Sequence, residues 1–319
     1  MPYIDPHVHC RDGKQSYKET IKHTFQVADA QGIKKIFDMP NTDPPITTEE
    51  HIKERIRLVS EERINDYFVW IGVTANADQL AEAVKCHANY KNVIGLKMFA
   101  GKSVGDLTVA GKDDQKRVYE ILQGFNYQGV IAVHCEKESL LKADLWDPKD
   151  PITHSKSRPK EAEIESVRDQ IELVKSAGFS GTLHICHITS AEAVGLVKAA
   201  RSDISITCGA TPHHILWDDE MQNRPDGLLY KMNPPLRDKS DVEGLRRCLV
   251  EGKIDWIETD YAPHQVGEKM FPPYMSGYPS LCLYKDFIEN FLPSFGLNED
   301  LIQKMTYGNI IKVFKDKLA

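Results

Sequence analysis

Short apolar runs rich in β-branched and aromatic residues recur along the chain. Longer stretches with apolar residues every three or four positions separate them. The runs are YIDPHVH (3–9), KKIFDMP (34–40), YFVWIGVTA (67–75), VIGLKMF (93–99), GVIAVHCE (129–136), GTLHICHIT (181–189), DISITCGATP (203–212) and KIDWIETD (253–260). Near-continuous apolar runs bounded by turn residues are the pattern of strands buried on both faces. Between them, YKETIKHTFQVADAQG and SAEAVGLVKAARS carry helical periodicity. TTEEHIKERIRLVSEE opens on Thr followed by early Glu, a helix start. Gly32 stands where a helix end favours glycine. Eight strands alternating with helices predict an α/β fold, a (β/α)8 barrel of the TIM type. An open doubly wound sheet is the alternative, but no glycine-rich fingerprint follows the first strand.

In such a barrel the chemistry gathers at the C-terminal ends of the strands. Polar, metal-capable residues stand at nearly every predicted end: His7 and His9, Asn41, Lys97, His134 and Glu136, His187, His213 and His214, then Asp260 and His264. A strand projects residues i and i+2 to one side. His7 and His9 therefore point the same way, and Arg11 keeps that parity if the chain stays extended. Imidazoles and carboxylates suit zinc and related divalent ions. Catalytic sites leave a position open for water, and two close ions can share one hydroxide. Lys97 is ordinarily a surface residue or an ion-pair partner, since an ammonium repels cations. A neutral amine there could instead take up carbon dioxide as a carbamate, an anion able to bridge two metals.

The composition narrows the classes. The chain has 319 residues, is 41% hydrophobic and carries a net charge of −7, which suits one barrel domain over 1–319 and no nucleic-acid partner. No apolar run reaches membrane-spanning length, and the N-terminus lacks the basic-then-apolar pattern of a signal peptide. Seven scattered cysteines, most inside predicted strands, fit the reduced thiols of a cytoplasmic protein better than a disulfide framework.

HVHCRDG, MPNTDPP, GLKMF, KMNPPLRD and DYAPH occur in that order. Together they resemble the amidohydrolase superfamily, and within it the dihydroorotases. The resemblance implies that His7, His9 and Asp260 hold one zinc and that His134 and His187 hold a second. It implies a carboxylated Lys97 bridging the two ions along with a hydroxide. Arg11, Asn41 and His264 would grip the substrate carboxylate, with Asn233 nearby, and Asp260 would shuttle the proton. The segment AGKSVGDL falls where many dihydroorotases carry a mobile lid, which makes Ser103 the hydroxyl expected to touch substrate. The implied reaction is the reversible cyclisation of N-carbamoyl-L-aspartate to L-dihydroorotate in pyrimidine biosynthesis. An arginine fork suits a planar carboxylate.

Several features depart from the family pattern. Longer dihydroorotases wrap a small β domain from both ends. With the first ligand at residue 7, little or no additional β domain is expected, although KMNPPLRD and TPHH look more like the longer form. Some members replace the modified lysine by an acid two positions after the strand-five histidine. Glu136 stands there, so it is the alternative bridge, and in that variant His213 or His214 would become a ligand. Lys97 is favoured as the bridge, with Glu136 as a partner behind the ligands or an alternative ligand, and with His213 and His214 holding the loop after strand seven. His184 and Cys186 have opposite parity to His187, so His184 is expected to pack against a helix. His23, His51, His87 and His154 are read as surface residues. FPPYMSGYP (271–279) is placed to wall the pocket.

Two other functions compete. Allantoinases and hydantoinases share the metal residues but need no carboxylate grip, which makes Arg11 with Asn41 the discriminating pair. A catalytically silent partner of aspartate transcarbamoylase would be expected to have lost metal ligands. Barrels of this kind often pair, which leaves a homodimer open.

Overall fold

A computed structural model describes residues 2–103 and 107–318. Eight strands follow one another in a single parallel sheet, in the order of the chain. They are β1 (Tyr3–Val8), β2 (Ile33–Asp38), β3 (Tyr67–Gly72), β4 (Val93–Phe99), β5 (Val130–His134), β6 (Thr182–Ile185), β7 (Ile206–Ala210) and β8 (Trp256–Ile257). The barrel closes where the His9 N–H donates to the Tyr261 carbonyl at 2.7 Å, beside a bridge between Val8 and Tyr261. Among the described residues no separate β domain accompanies this (β/α)8 barrel.

Both faces of the sheet are apolar, and alternate residues feed different cores. Ile4, Phe37, Phe68, Trp70, Ile94, Val130, Ala132 and Trp256 form the interior cluster. Their neighbours Ile36, Tyr67, Val69, Val93, Ile131 and Val133 belong to the layer beneath the helices. This double burial is why the runs read as continuous apolar stretches. Ile310 and Phe314 join the interior cluster from the last helices. The Phe314 ring meets Phe37, Trp70 and Trp256 at 5.2, 5.8 and 6.0 Å between centroids.

Helix starts carry side-chain caps. Thr20, Thr48, Asn76 and Ser190 each accept a backbone N–H from the first turn of the helix they precede, satisfying donors that have no intrahelical partner. Gly32 lies just past the helix Ile21–Ala30 with φ 76°, the left-handed conformation that glycine adopts without penalty.

The strands are shorter than their apolar runs, mostly at the C-terminal ends. β6 stops at Ile185 rather than 189, and β8 spans two residues instead of eight. The chain turns left-handed at Arg11 (φ 52°), His187 (φ 36°) and Asp260 (φ 48°). Such values are costly for residues with a Cβ. Three of the residues singled out from the sequence thus sit where the backbone leaves the sheet.

Candidate active site

The structure gathers most of the strand-end residues around one cavity. His7, His9, Asn41, Ser103, His134, His187, Asn233 and Asp260 all line it, together with Ser276 and Gly277 of the 271–279 loop. His7 Nε2 and His9 Nε2 lie 3.3 and 3.0 Å from the same Asp260 Oδ1. His134 Nδ1 lies 3.2 Å from His187 Nε2. Ligand atoms about 2.0–2.1 Å from a tetrahedral zinc stand about 3.3 Å apart, so both spacings match edges of a coordination shell. Burial pushes the Asp260 carboxyl up, but His7 and His9 outweigh it and hold it well below the carboxylate range. Burial and the adjacent His134 push His187 well below the usual imidazole value, leaving it a neutral donor. Buried His9 Nδ1 and His187 Nδ1 have no hydrogen-bond partner among the described residues. His7, His9 and Asp260 bring three ligand atoms within 4.8 Å of one another, a set that fits a divalent metal, and His134 and His187 stand beside it as a two-donor pair.

Lys97 is fully buried at the end of β4. Among the described residues it has no carboxylate within ion-pair distance. Its Nζ donates to Cys186 Sγ at 2.9 Å and lies 5.0 Å from the centre of the Phe99 ring. A buried amine is costly to hold charged unless it is paired, and the Cys186 thiol is the partner that Lys97 has here. Burial opposes ionisation of the Cys186 thiol, but Lys97 and bonds from His184 and His7 bring it down to about 5. Cys186 also lies within 4.8 Å of His7 and His187, and of His184 and Glu258.

Glu136, the alternative bridge, is bonded on both sides. Its Oε2 accepts from His134 Nε2 at 2.9 Å and from Arg158 Nη2 at 2.5 Å, while Oε1 accepts from Arg158 Nε at 3.0 Å. Arg158 and His134 hold its carboxyl well below the usual range against the upward push of burial. A carboxylate bonded to the far side of an imidazole fixes its tautomer and turns the other nitrogen toward a metal.

The residues expected to bind a substrate acid divide into two groups. Asn41, Ser103 and Asn233 line the cavity. Arg11 and His264 are not among its described lining residues. They pair with each other, Nη2 to Nε2 at 3.0 Å. Arg11 is only 2% exposed, and it is not extended as its parity argument required. Asp38 and Arg55 hold its turn. Asp38 accepts from Arg55 Nη2 and Tyr67 OH, both at 2.6 Å, and from the Cys10 N–H at 2.9 Å, while Arg55 Nη1 donates to the Arg11 carbonyl. Of the expected lid, Val104, Gly105 and Asp106 lie outside the described residues. Lys102 is tied by its N–H to Glu138 and by its carbonyl to Arg158.

The readings of four histidines change. His184 does not pack on a helix: it stacks on Trp256 at 4.3 Å and bonds Glu258 Oε2 at 3.1 Å, inside the barrel. The parity argument assumed an extended chain through 187, and the left-handed turn at His187 breaks it. His154 is buried, and His51 and His87 are half-buried. His214 is structural as expected, bonding Thr211 Oγ1 and the Pro234 carbonyl. His213 is buried with neither ring nitrogen bonded among the described residues.

Sequence reading missed the supports. Glu258 also accepts from Trp256 Nε1 at 3.0 Å and from the His187 N–H. A Cβ on Gly209 would stand 2.5 Å from its carboxyl carbon, so that glycine makes its berth. Glu163 accepts the N–H and hydroxyl of both Thr189 and Ser190, pinning the loop that carries His187. Glu258 had a signal: in WIETD it shares parity with Trp256 and Asp260. Glu163 and Arg158 had none, because their partners are distant in sequence.

No protein-family model matches the chain. It is 31% identical over 281 residues to a dihydroorotase of Methanosarcina mazei, covering 83% of this chain and 58% of that protein. It is 34% identical over 282 residues to a dihydroorotase of Listeria monocytogenes, covering 85% of this chain and 62% of that one. The chain thus spans about three fifths of the length of these curated relatives. Among solved structures, an L-hydantoinase from Arthrobacter aurescens superposes with a TM-score of 0.85 at 22% identity, over 98% of this chain and 70% of that one. A Saccharomyces cerevisiae dihydroorotase in complex with 5-fluoroorotic acid gives 0.77 at 19% identity, over 98% and 84%. At these identities the structural likeness speaks for the barrel alone. Geometry, motif order and the sequence relatives converge: the chain belongs to the dihydroorotase-like amidohydrolases.

Proposed function

We propose that the chain is a dihydroorotase, interconverting N-carbamoyl-L-aspartate and L-dihydroorotate at this cavity. The observation that carries the reading is the pairing of two clustered donor sets with amide and hydroxyl groups on one cavity wall. His7, His9 and Asp260 would hold one divalent ion and His134 and His187 the other, zinc in both positions, and carboxylated Lys97 would supply an anionic ligand to them. Bound there, two such ions supply Lewis acidity and a nucleophile at neutral pH. Asp260 takes the proton of the attacking water at its carboxylate. It then returns that proton to the amide nitrogen that leaves the ring, acting first as general base and then as general acid. Asn41 and Asn233 offer amide groups to the substrate, and Ser103 a hydroxyl. Arg11, aligned by His264, supplies the cationic fork for the ring carboxylate once substrate displaces part of its present pairing. Glu136 keeps His134 in the tautomer that presents Nδ1.

The test is turnover of L-dihydroorotate and carbamoyl aspartate by protein supplied with zinc and bicarbonate, beside Arg11→Met. Turnover that falls at least a hundredfold in the variant supports both the reaction and the grip. Turnover of hydantoin or allantoin but of neither acid, in protein holding two metals, moves the reading to a neutral cyclic amide. Absence of bound metal together with absence of turnover favours a silent partner of aspartate transcarbamoylase.

A further inference from the structure

His154 lies in the segment between β5 and the helix Lys160–Ala177. It crosses to the loop after β7. Its Nε2 lies 2.9 Å from the Met232 carbonyl and 3.1 Å from Asn233 Oδ1. A carbonyl only accepts, so the nitrogen facing Met232 carries the proton. That same N–H then faces Asn233. An amide NH2 in that place would set two donors against each other, so the carbonyl oxygen of Asn233 must occupy it. The Asn233 NH2 is left for the other side. It makes no hydrogen bond among the described residues, and Asn233 lines the cavity that holds the metal donors.

His154 has little freedom to turn away. It is 4% exposed and meets Trp146 edge-on, 5.4 Å between centroids and 75° between planes. Lys231 Nζ lies 5.1 Å from the centre of the same Trp146 ring. The His154 carbonyl accepts from Ser157 Oγ at 2.8 Å. A second hollow, lined by Trp146, His154, Arg158 and Lys231, shares Asn233 and Ser276 with the cavity.

We propose that His154 is a positioning residue that locks the Asn233 amide with its NH2 toward the cavity, so that the site selects ligands presenting an acceptor oxygen there. It acts through Asn233 and does not touch substrate. The inference rests on the reading of Asn233 as a substrate contact, and it makes the ring acid of dihydroorotate, or a ring carbonyl, the group that Asn233 receives. A neutral donor group at that point would meet NH2 and be refused.

The experiment uses the full chain loaded with zinc, as wild type, His154→Phe and His154→Gln. Phenylalanine keeps the ring against Trp146 and removes the donor, while glutamine keeps an N–H at similar reach. Steady-state kinetics on L-dihydroorotate, calorimetric binding of orotate, and 15N NMR of the His154 ring are measured. The expected result is a rise of about tenfold in KM and in the orotate Kd for His154→Phe, with kcat within twofold and most of the loss recovered in His154→Gln. In wild type the ring proton sits on Nε2. A fall in kcat with KM and orotate affinity unmoved overturns the positioning role, and so does a proton on Nδ1. If His154→Phe does not fold, the glutamine variant and the wild-type ring proton still decide. Wild-type protein that neither turns over dihydroorotate nor binds orotate overturns the functional reading, whereas a misplaced ring proton overturns the inference alone.

Discussion

Replacing Glu136 by glutamine separates an orienting group from a metal ligand. Glu136 is fully buried and bonds His134 on one side and Arg158 on the other through the shared Oε2. A glutamine oxygen placed at Oε2 keeps both of those bonds. Its NH2 then occupies the Oε1 position, 3.0 Å from Arg158 Nε in the native geometry, and two donors face each other. The negative charge behind His134 is lost, and with it the polarisation that makes Nδ1 a stronger donor. Partners of this kind are worth about 10–100-fold in metal affinity, or about 1.4–2.7 kcal/mol. Because the hydrogen bond survives, the lower part of that range is expected, at one of the two ions only. Competition against a chromophoric zinc chelator at fixed pH gives both affinities, and elemental analysis gives the stoichiometry. An affinity unchanged within twofold in folded protein would falsify the orienting role. Complete loss of one ion would do so from the other side, because it would make Glu136 a ligand. Lys97→Ala is the companion: it removes the bridge in the favoured reading and leaves metal binding little changed in the alternative.

Other consequences reach the frame of the site. Arg55→Met leaves the Asp38 carboxylate buried without its cation, which costs about 3–5 kcal/mol. Urea unfolding reads that loss, and a rise in KM accompanies it because the Arg11 turn loses its brace; a change below 1 kcal/mol would argue against this account. Gly101→Ala places a Cβ 1.8 Å from the Glu136 carbonyl oxygen. The loop after β4 must move, at about 1–3 kcal/mol by thermal melting, and zinc affinity falls with it. Lys269 is 3% exposed and donates to the carbonyls of Lys231 and Gly277, and burial pushes its ammonium down to about 7. Between that value and the ordinary 10.5 the unfolded chain binds a proton that the folded one lacks. Stability therefore rises with pH over that window, by up to about 1.4 kcal/mol per unit. Lys269→Met flattens the rise between pH 7 and 9 in urea titrations, and parallel curves for the two proteins would refute the assignment.

The barrel was legible because strand and helix alternate with different periods, and because double burial leaves a continuous apolar run for each strand. All eight strands stand where the runs predict them. The overrun at the C-terminal ends has one cause: residues such as Ile188 and Thr259 are fully buried, and burial in a loop packed over the barrel mouth looks like burial in a strand. The residues that gather at the cavity were legible for the related reason that ionisable residues in apolar surroundings are rarely there without a partner. The supports Arg158 and Glu163 were not. Arg158 reaches Glu136 across 22 positions and Glu163 reaches Ser190 across 27, and no local period encodes such pairs.

His187 shows how function bends the local rule. Unbroken strand parity through HICHIT lets only one of His184 and His187 face inward, which is why His184 is expected against a helix. In the structure both reach the barrel side, because the chain abandons the sheet after Ile185 and turns left-handed at His187. That turn is costly for a histidine, and it is held from two directions. Glu258 takes the His187 N–H from inside the barrel, and Glu163 takes the N–H groups of Thr189 and Ser190 from the helix layer. Asp260 turns in the same left-handed way at the end of β8, two residues after Glu258. The two strands thus present His187 and Asp260 to the cavity by leaving the ladder early, and Glu258 stands between them with bonds to both the turn at His187 and the indole of Trp256. Short β6 and β8 are the structural consequence of placing donors above the sheet. Strand ends that fall short of their apolar runs accordingly mark the working face of this barrel.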